Sequence, residues 1–183
     1  MGWRATGDSM QLSNYRDIAA SPDMVWSALL NPAVLMACIP GCESMTGTPA
    51  SGYQVVVVQK VGPVSARFNG IIHLSDITEG QAVTISGEGK GGAAGFAKGG
   101  ARVTLAAEGH GTRLSYTVEA NVGGKIARLG SRIIDGFARK LADQFFENFK
   151  SALEQPAGAD TADIAAADAQ TTRTGWFRRI IGG

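Results

Sequence analysis

The chain has 183 residues, 44% of them hydrophobic and only 18% charged, with 17 basic against 16 acidic side chains for a formal net charge of +1. That apolar share excludes a wholly disordered chain, and the balanced charge excludes a global field that would attract nucleic acid. Two cysteines do not form a disulfide scaffold, and with two histidines remote from them they do not supply a structural zinc site. They read instead as reduced thiols of a cytoplasmic protein. The 25 glycines are about twice the usual share of roughly 7% and point to many turns and a mainly β architecture.

In chain order, residues 1–9 read as an extension and 11–20 as a first strand. Ser21-Pro22 opens a helix: Ser caps, Pro is pre-set for the first turn, and Asp23 suits the positive helix end. Met24, Val25, Ala28 and Leu29 give it an apolar stripe, and Asn31-Pro32 ends it. Residues 32–37 form a second short helix before Cys38–Cys42 turns the chain. Strand-like runs follow at 53–61, 64–77, 82–89, 101–108 and 112–122. Gly62-Pro63, Glu79-Gly80 and Gly109–Gly111 separate them, so the pairing is antiparallel. From 64 to 74 the even positions are Val64, Ala66, Phe68, Gly70, Ile72 and Leu74, while the odd ones are mostly polar. Residues 113–122 alternate the same way. One sheet face is therefore apolar and the other faces water, and His73 falls on the wet face.

Residues 125–153 change period. Ile126, Leu129, Ile133, Phe137, Leu141, Phe145 and Phe149 recur every three or four residues, which reads as one long amphipathic helix. Its apolar stripe needs a partner, and the apolar sheet face is the one available. Residues 154–172 are mostly Ala, Thr, Asp and Gly and read as a flexible acidic linker. Residues 173–183 combine Trp176, Phe177, Ile180 and Ile181 with Arg178 and Arg179. Trp and Arg suit the headgroup layer of a bilayer, so this segment reads as a weak membrane contact. No run approaches the roughly 20 apolar residues of a spanning helix.

The densest local signal is Gly87–Gly100, GEGKGGAAGFAKGG. It satisfies G-x-G-x-x-G, but the chain then enters a strand and not a helix, so the phosphate-binding context fails. The plain reading is a bulged, wide hairpin where a helix approaches backbone closely. The functional reading is a lid or partner-docking loop carrying Lys90, Phe96 and Lys98. No catalytic arrangement and no metal-ligand spacing is visible.

Several stretches together resemble the G-subunit family of carbon monoxide dehydrogenase. They are Val25-Trp26, Leu30-Asn31-Pro32, Cys38-Ile39-Pro40-Gly41-Cys42-Glu43, Lys60–Val64, Gly87–Ala101, Gly123–Ala127 and Leu129–Arg132. The resemblance covers about residues 10–150. It implies an α+β helix-grip fold of the START and birch-pollen-allergen-like superfamily: a curved antiparallel sheet around a long C-terminal helix, with a lipophilic cavity between them. The domain is then 10–153. The resemblance further implies a non-catalytic accessory protein of a molybdenum hydroxylase-type carbon monoxide dehydrogenase, peripheral to the inner face of the cell membrane. Its lipophilic ligand is expected to be a respiratory quinone, with no covalently bound cofactor and no metal. The expected lining is Phe68, Ile72, Ile85, Leu105, Tyr116 and Val118 from the sheet, with Ile133 and Phe137 from the helix; each is equally suited to plain core. A tether or assembly factor that carries nothing is the alternative. A helix-grip small-molecule enzyme is the least favoured reading.

Overall fold

The apolar–polar alternation of the strands decides the architecture, because an antiparallel sheet with one apolar face must be covered on that side only. The computed structural model describes residues 4–6 and 9–154. Its elements are β1 (Arg4–Thr6), β2 (Ser9–Ile18), α1 (Pro22–Leu29), α2 (Pro32–Cys38), β3 (Cys42–Thr48), β4 (Gly52–Val61), β5 (Val64–Thr78), β6 (Ala82–Lys90), β7 (Phe96–Glu108), β8 (Gly111–Gly123) and α3 (Ser131–Glu154). The strands form one eight-stranded antiparallel sheet in the order β1-β2-β8-β7-β6-β5-β4-β3. The sheet curves, and α1, α2 and α3 lie against its concave face. The fold is the helix-grip fold expected from the sequence.

Local chemistry sets the two short helices. The Ser21 hydroxyl accepts a hydrogen bond from Met24 N–H at 3.4 Å at the start of α1. Asn31 does more than stop that helix. Its side-chain oxygen accepts from Ala33 and Val34 N–H at 2.9 and 3.4 Å, so one residue ends α1 and caps α2.

Four features differ from the sequence expectation. Part of the 1–9 extension joins the sheet, with Arg4–Thr6 pairing antiparallel to β2. Strand β3 was not anticipated: it lies at the sheet edge, buries only Met45 and carries a bulge between Cys42 and Ser44, so its alternation is weak. The long helix begins at Ser131 and not at 125. Ala127–Leu129 form a 3-10 turn, and Gly130 at φ +89° breaks the path into α3. The glycine-rich hairpin is not bulged: β6 and β7 pair without a register shift from Ala82↔Thr104 to Lys90↔Phe96. Its glycines reflect close backbone contact, since a Cβ on Gly99 would stand 2.2 Å from the Glu119 carbonyl oxygen. His73 is exposed, as its odd position implies. Residues 155–183, which include nearly all of the expected linker and the whole 173–183 segment, lie outside the described residues.

The core is split. At one end, Val25, Trp26 and Leu29 of α1 pack with Val83, Val103 and Leu114 of the sheet and with Phe146 and Phe149 of α3. At the other end, Val61, Ala94, Ile126 and Ile134 form a separate cluster. A third group, Met45, Tyr53 and Val55, lies under α2. Side-chain hydrogen bonds fasten the covering elements. Tyr53 donates to the Leu30 carbonyl at 2.8 Å, and Asn148 of α3 donates to the Cys38 carbonyl at 3.1 Å. Thr112, buried, donates to the Ala20 carbonyl at 2.7 Å.

Phe149 has no exposed surface and stacks beside Phe145 at 5.6 Å between ring centres. Phe149→Ala should cost about 3–5 kcal/mol in denaturant unfolding. Ile133→Ala, at a residue 41% exposed, should cost about 0.5 kcal/mol or less. Equal losses would contradict the packing described for α3.

Candidate functional site

The gap between the two core clusters is a cavity of about 510 Å³ between the concave sheet face and α3. Its size follows from small side chains on both walls. Gly89, Ala97, Ala101 and Ala120 face it from the sheet, and Ala138 and Ala142 face it from the helix. Larger apolar residues close the ends: Leu29 and Leu35 from α1 and α2, and Val61, Val122, Ile126 and Ile134 at the opposite end. The volume lies within the ~300–1,000 Å³ typical of small-molecule sites.

The structure brings Phe68, Ile85, Tyr116, Val118 and Phe137 together on the cavity wall. It places the other three expected lining residues elsewhere. Ile72 pairs with Tyr53 and packs in the cluster under α2. Leu105 packs against the α1 end of the core. Ile133 points outward beside the β4–β5 turn, where a Cβ on Gly62 would stand 3.4 Å from its Cγ2. The later start of α3 explains this, since Ile134 takes the inward position. Sequence reading missed the contributions of α1, α2 and β4. No periodicity in a short helix tells which sheet residues it will face.

Polar groups are few on this wall. Gln59 is one, and its Nε2 donates to the Pro40 carbonyl at 2.5 Å. Tyr116 is the other, stacked on Phe146 at 4.8 Å between ring centres. Burial pushes the Tyr116 phenol above its ordinary range, although Arg16 nearby opposes the shift. Burial likewise raises the thiols of Cys38 and Cys42, so both are protonated and weakly nucleophilic at neutral pH. Among the described residues no group of three His, Cys, Asp or Glu is placed to hold a metal ion. Nor is any described helix long and apolar enough to cross a membrane.

Lys90, Phe96 and Lys98 lie on the outer, convex face. Their neighbours Gly89 and Ala97 face the cavity, so the alternation turns these three away from it. Phe96 is 49% exposed and its ring covers Gly123. These three side chains do not cover the cavity, while Ala94 of the same loop packs with Val61, Ile126 and Ile134 at its end. The three side chains do belong to a wider feature. Stretches 60–66, 89–98 and 122–134 meet at one end of the sheet and carry Lys60, Lys90, Lys98, Lys125, Arg128 and Arg132, with Glu88 opposite Lys98 and Asp135 following the last stretch. The cavity reaches this end through Val61, Val122, Ile126 and Ile134.

A curved antiparallel sheet gripping a long helix over an apolar cavity defines a helix-grip domain. Residues 16–154 match the model of the family described as the G subunit of carbon monoxide dehydrogenase (CoxG), and the chain belongs to that family. The family is that of an accessory subunit of carbon monoxide dehydrogenase. Among solved structures, a conserved protein from Geobacillus kaustophilus is 27% identical, with a TM-score of 0.74 over 79% of this chain and 95% of that one. A protein from Rhizobium leguminosarum is 17% identical, with a TM-score of 0.62 over 80% of this chain and 95% of its own. One from Thermus thermophilus is 14% identical, with a TM-score of 0.60 over 80% and 99% respectively. The last two show the fold alone. No curated protein sequence matches the chain.

Ala101→Phe places a ring in the cavity, while Ala106→Phe places one on the outer face, where Ala106 is exposed. The first should weaken binding of the apolar dye N-phenyl-1-naphthylamine about tenfold or more and the second should not, as read by fluorescence titration. Equal affinities would remove the cavity as the dye site.

Proposed function

We propose that this protein is a non-catalytic accessory protein of a molybdenum-containing carbon monoxide dehydrogenase. It carries a respiratory quinone in its cavity between the membrane and the enzyme. The carrying observation is the 510 Å³ apolar cavity between sheet and α3. Family membership supports the choice of partner. The chemistry supports the choice of cargo. Oxidation of carbon monoxide by water yields carbon dioxide, two protons and two electrons, and a quinone takes up both protons and electrons to become a quinol. A quinone is apolar enough to need a carrier in water and polar at one end. An apolar wall with few polar groups suits it.

The basic end of the sheet supports loading at a membrane. Six cations against two neighbouring acids, Glu88 opposite Lys98 and Asp135 beyond Arg132, leave a net positive end that would be drawn to an anionic leaflet, at about 1 kcal/mol for each residue near the surface. Trp176, Phe177, Arg178, Arg179, Ile180 and Ile181, outside the described residues, supply a second contact of the same kind. Two weak contacts on one chain give reversible attachment, which suits a carrier better than a permanent anchor.

Protein exposed to bacterial membrane vesicles and re-isolated should hold close to one quinone per chain by mass spectrometry. An empty cavity with membrane binding intact would leave a tether or assembly factor as the better account. Deleting residues 173–183 should reduce co-sedimentation with anionic liposomes, and unchanged co-sedimentation would remove that segment from the membrane contact.

A further inference from the structure

The two ends of the cavity are closed differently. Toward α1 the wall is Leu12, Leu29, Val103, Leu114, Tyr116 and Phe146, none more than 9% exposed. These residues belong to the larger core cluster, so this end is blind. The basic end is closed by one thin layer, Val61, Ala94, Ile126 and Ile134, carried on short connections and the first turn of α3. The wall residues beside that layer, Met10, Phe68, Val122 and Phe137, are only partly buried. Ile133, 41% exposed, stands outside it at the β4–β5 turn. The way to solvent is therefore shorter at the basic end.

The wall between the ends offers almost nothing to a polar atom. Gln59 and Tyr116 are its polar side chains. The amide nitrogen of Gln59 is held by the Pro40 carbonyl, and the Tyr116 hydroxyl is buried on the side of Arg16 and Asn14, away from the space. The backbone groups of the strands are paired within the sheet. A carbonyl oxygen drawn deep into this space would leave water and find no new partner, which costs affinity. A hydrocarbon chain bears no such cost, and each CH2 taken from water tightens binding about fourfold.

The basic end has the opposite character. Lys60, Lys90, Lys98, Lys125, Arg128 and Arg132 outnumber Glu88 and Asp135 there, and lysine and arginine side chains are donors only. Carbonyl oxygens are acceptors, so this end and the water around it suit the group that the wall does not.

We propose that the ligand is seated chain first: its hydrocarbon chain occupies the cavity with the tip at Leu29, Val103 and Leu114, and its carbonyl-bearing ring stays at the basic end. The assignment rests on the cavity being the quinone site, as proposed above. Two consequences follow from the seating. The cavity selects by chain and not by ring. A ring held at the surface takes two electrons from a docked redox enzyme and two protons from water, and becomes a quinol while its chain stays in place.

The test uses the full chain, labelled at Ile, Leu and Val methyls, with 2-decyl-1,4-naphthoquinone as probe. Nuclear Overhauser contacts should join the ring protons to Val61, Val122, Ile126 and Ile134, and the end of the decyl chain to Leu29, Val103 and Leu114. The reversed pattern would overturn the seating and leave the cavity reading standing. Binding without contacts to any lining methyl would remove the cavity reading and the seating with it. A second measurement compares 2-decylnaphthalene, which lacks the carbonyls. Its affinity should lie within about threefold of the quinone's, because the ring stays wet in both complexes, whereas a ring taken into the apolar wall would make the naphthalene bind about tenfold tighter or more. The latter result would contradict a ring held at the surface.

Discussion

A single helix supported at its two ends over a concave sheet is the constraint on which the rest of the structure depends. Phe146 and Phe149 fix the C-terminal part of α3 against α1 and the sheet, and Ile134 fixes its start against Val61, Ala94 and Ile126. Between them Ala138 and Ala142 face Ala101 and Ala120 across a space that their side chains do not fill. Close packing is the norm in protein interiors, and a void of this size is not a packing accident.

The same arrangement separates two kinds of chemistry. The inner face is apolar, so a ligand that enters leaves water and meets few groups able to react with it. The thiols of buried Cys38 and half-buried Cys42 are held protonated, and the histidines stand on the outside. The charged chemistry collects at one end of the sheet, where three connections bring lysines and arginines together. A domain built this way has the features that the proposed carrier role requires, and the chain belongs to an accessory-subunit family.

Much of the fold was legible because strong periodicities carry it. The alternation over 64–74 and 113–122 gave the faces of β5 and β8 correctly, and Ser21-Pro22 marked α1. What was missed lacks a periodic signal. Strand β3 is a polar edge strand with a bulge. The 3-10 turn before α3 keeps the apolar spacing of a helix, and only the backbone conformation of Gly130 ends it. The cavity wall was legible for Phe68, Ile85, Tyr116, Val118 and Phe137. Alternation identifies the inner face but not which part of it a helix will cover. Ile72 and Leu105 are inner-face residues taken up by core under α2 and α1.

The central claim is that the space beneath α3 is a ligand site, and the most direct test follows the methyl groups around it. In a protein labelled at Ile, Leu and Val methyls, titration with a decyl-substituted benzoquinone should shift Ile85, Val103, Leu114, Val118, Ile134 and Leu141, which line the cavity. Val58 and Ile71, exposed on the outer face, should not move. Shifts confined to Val58, Ile71 and other outer-face methyls would place the ligand on the surface and contradict the account.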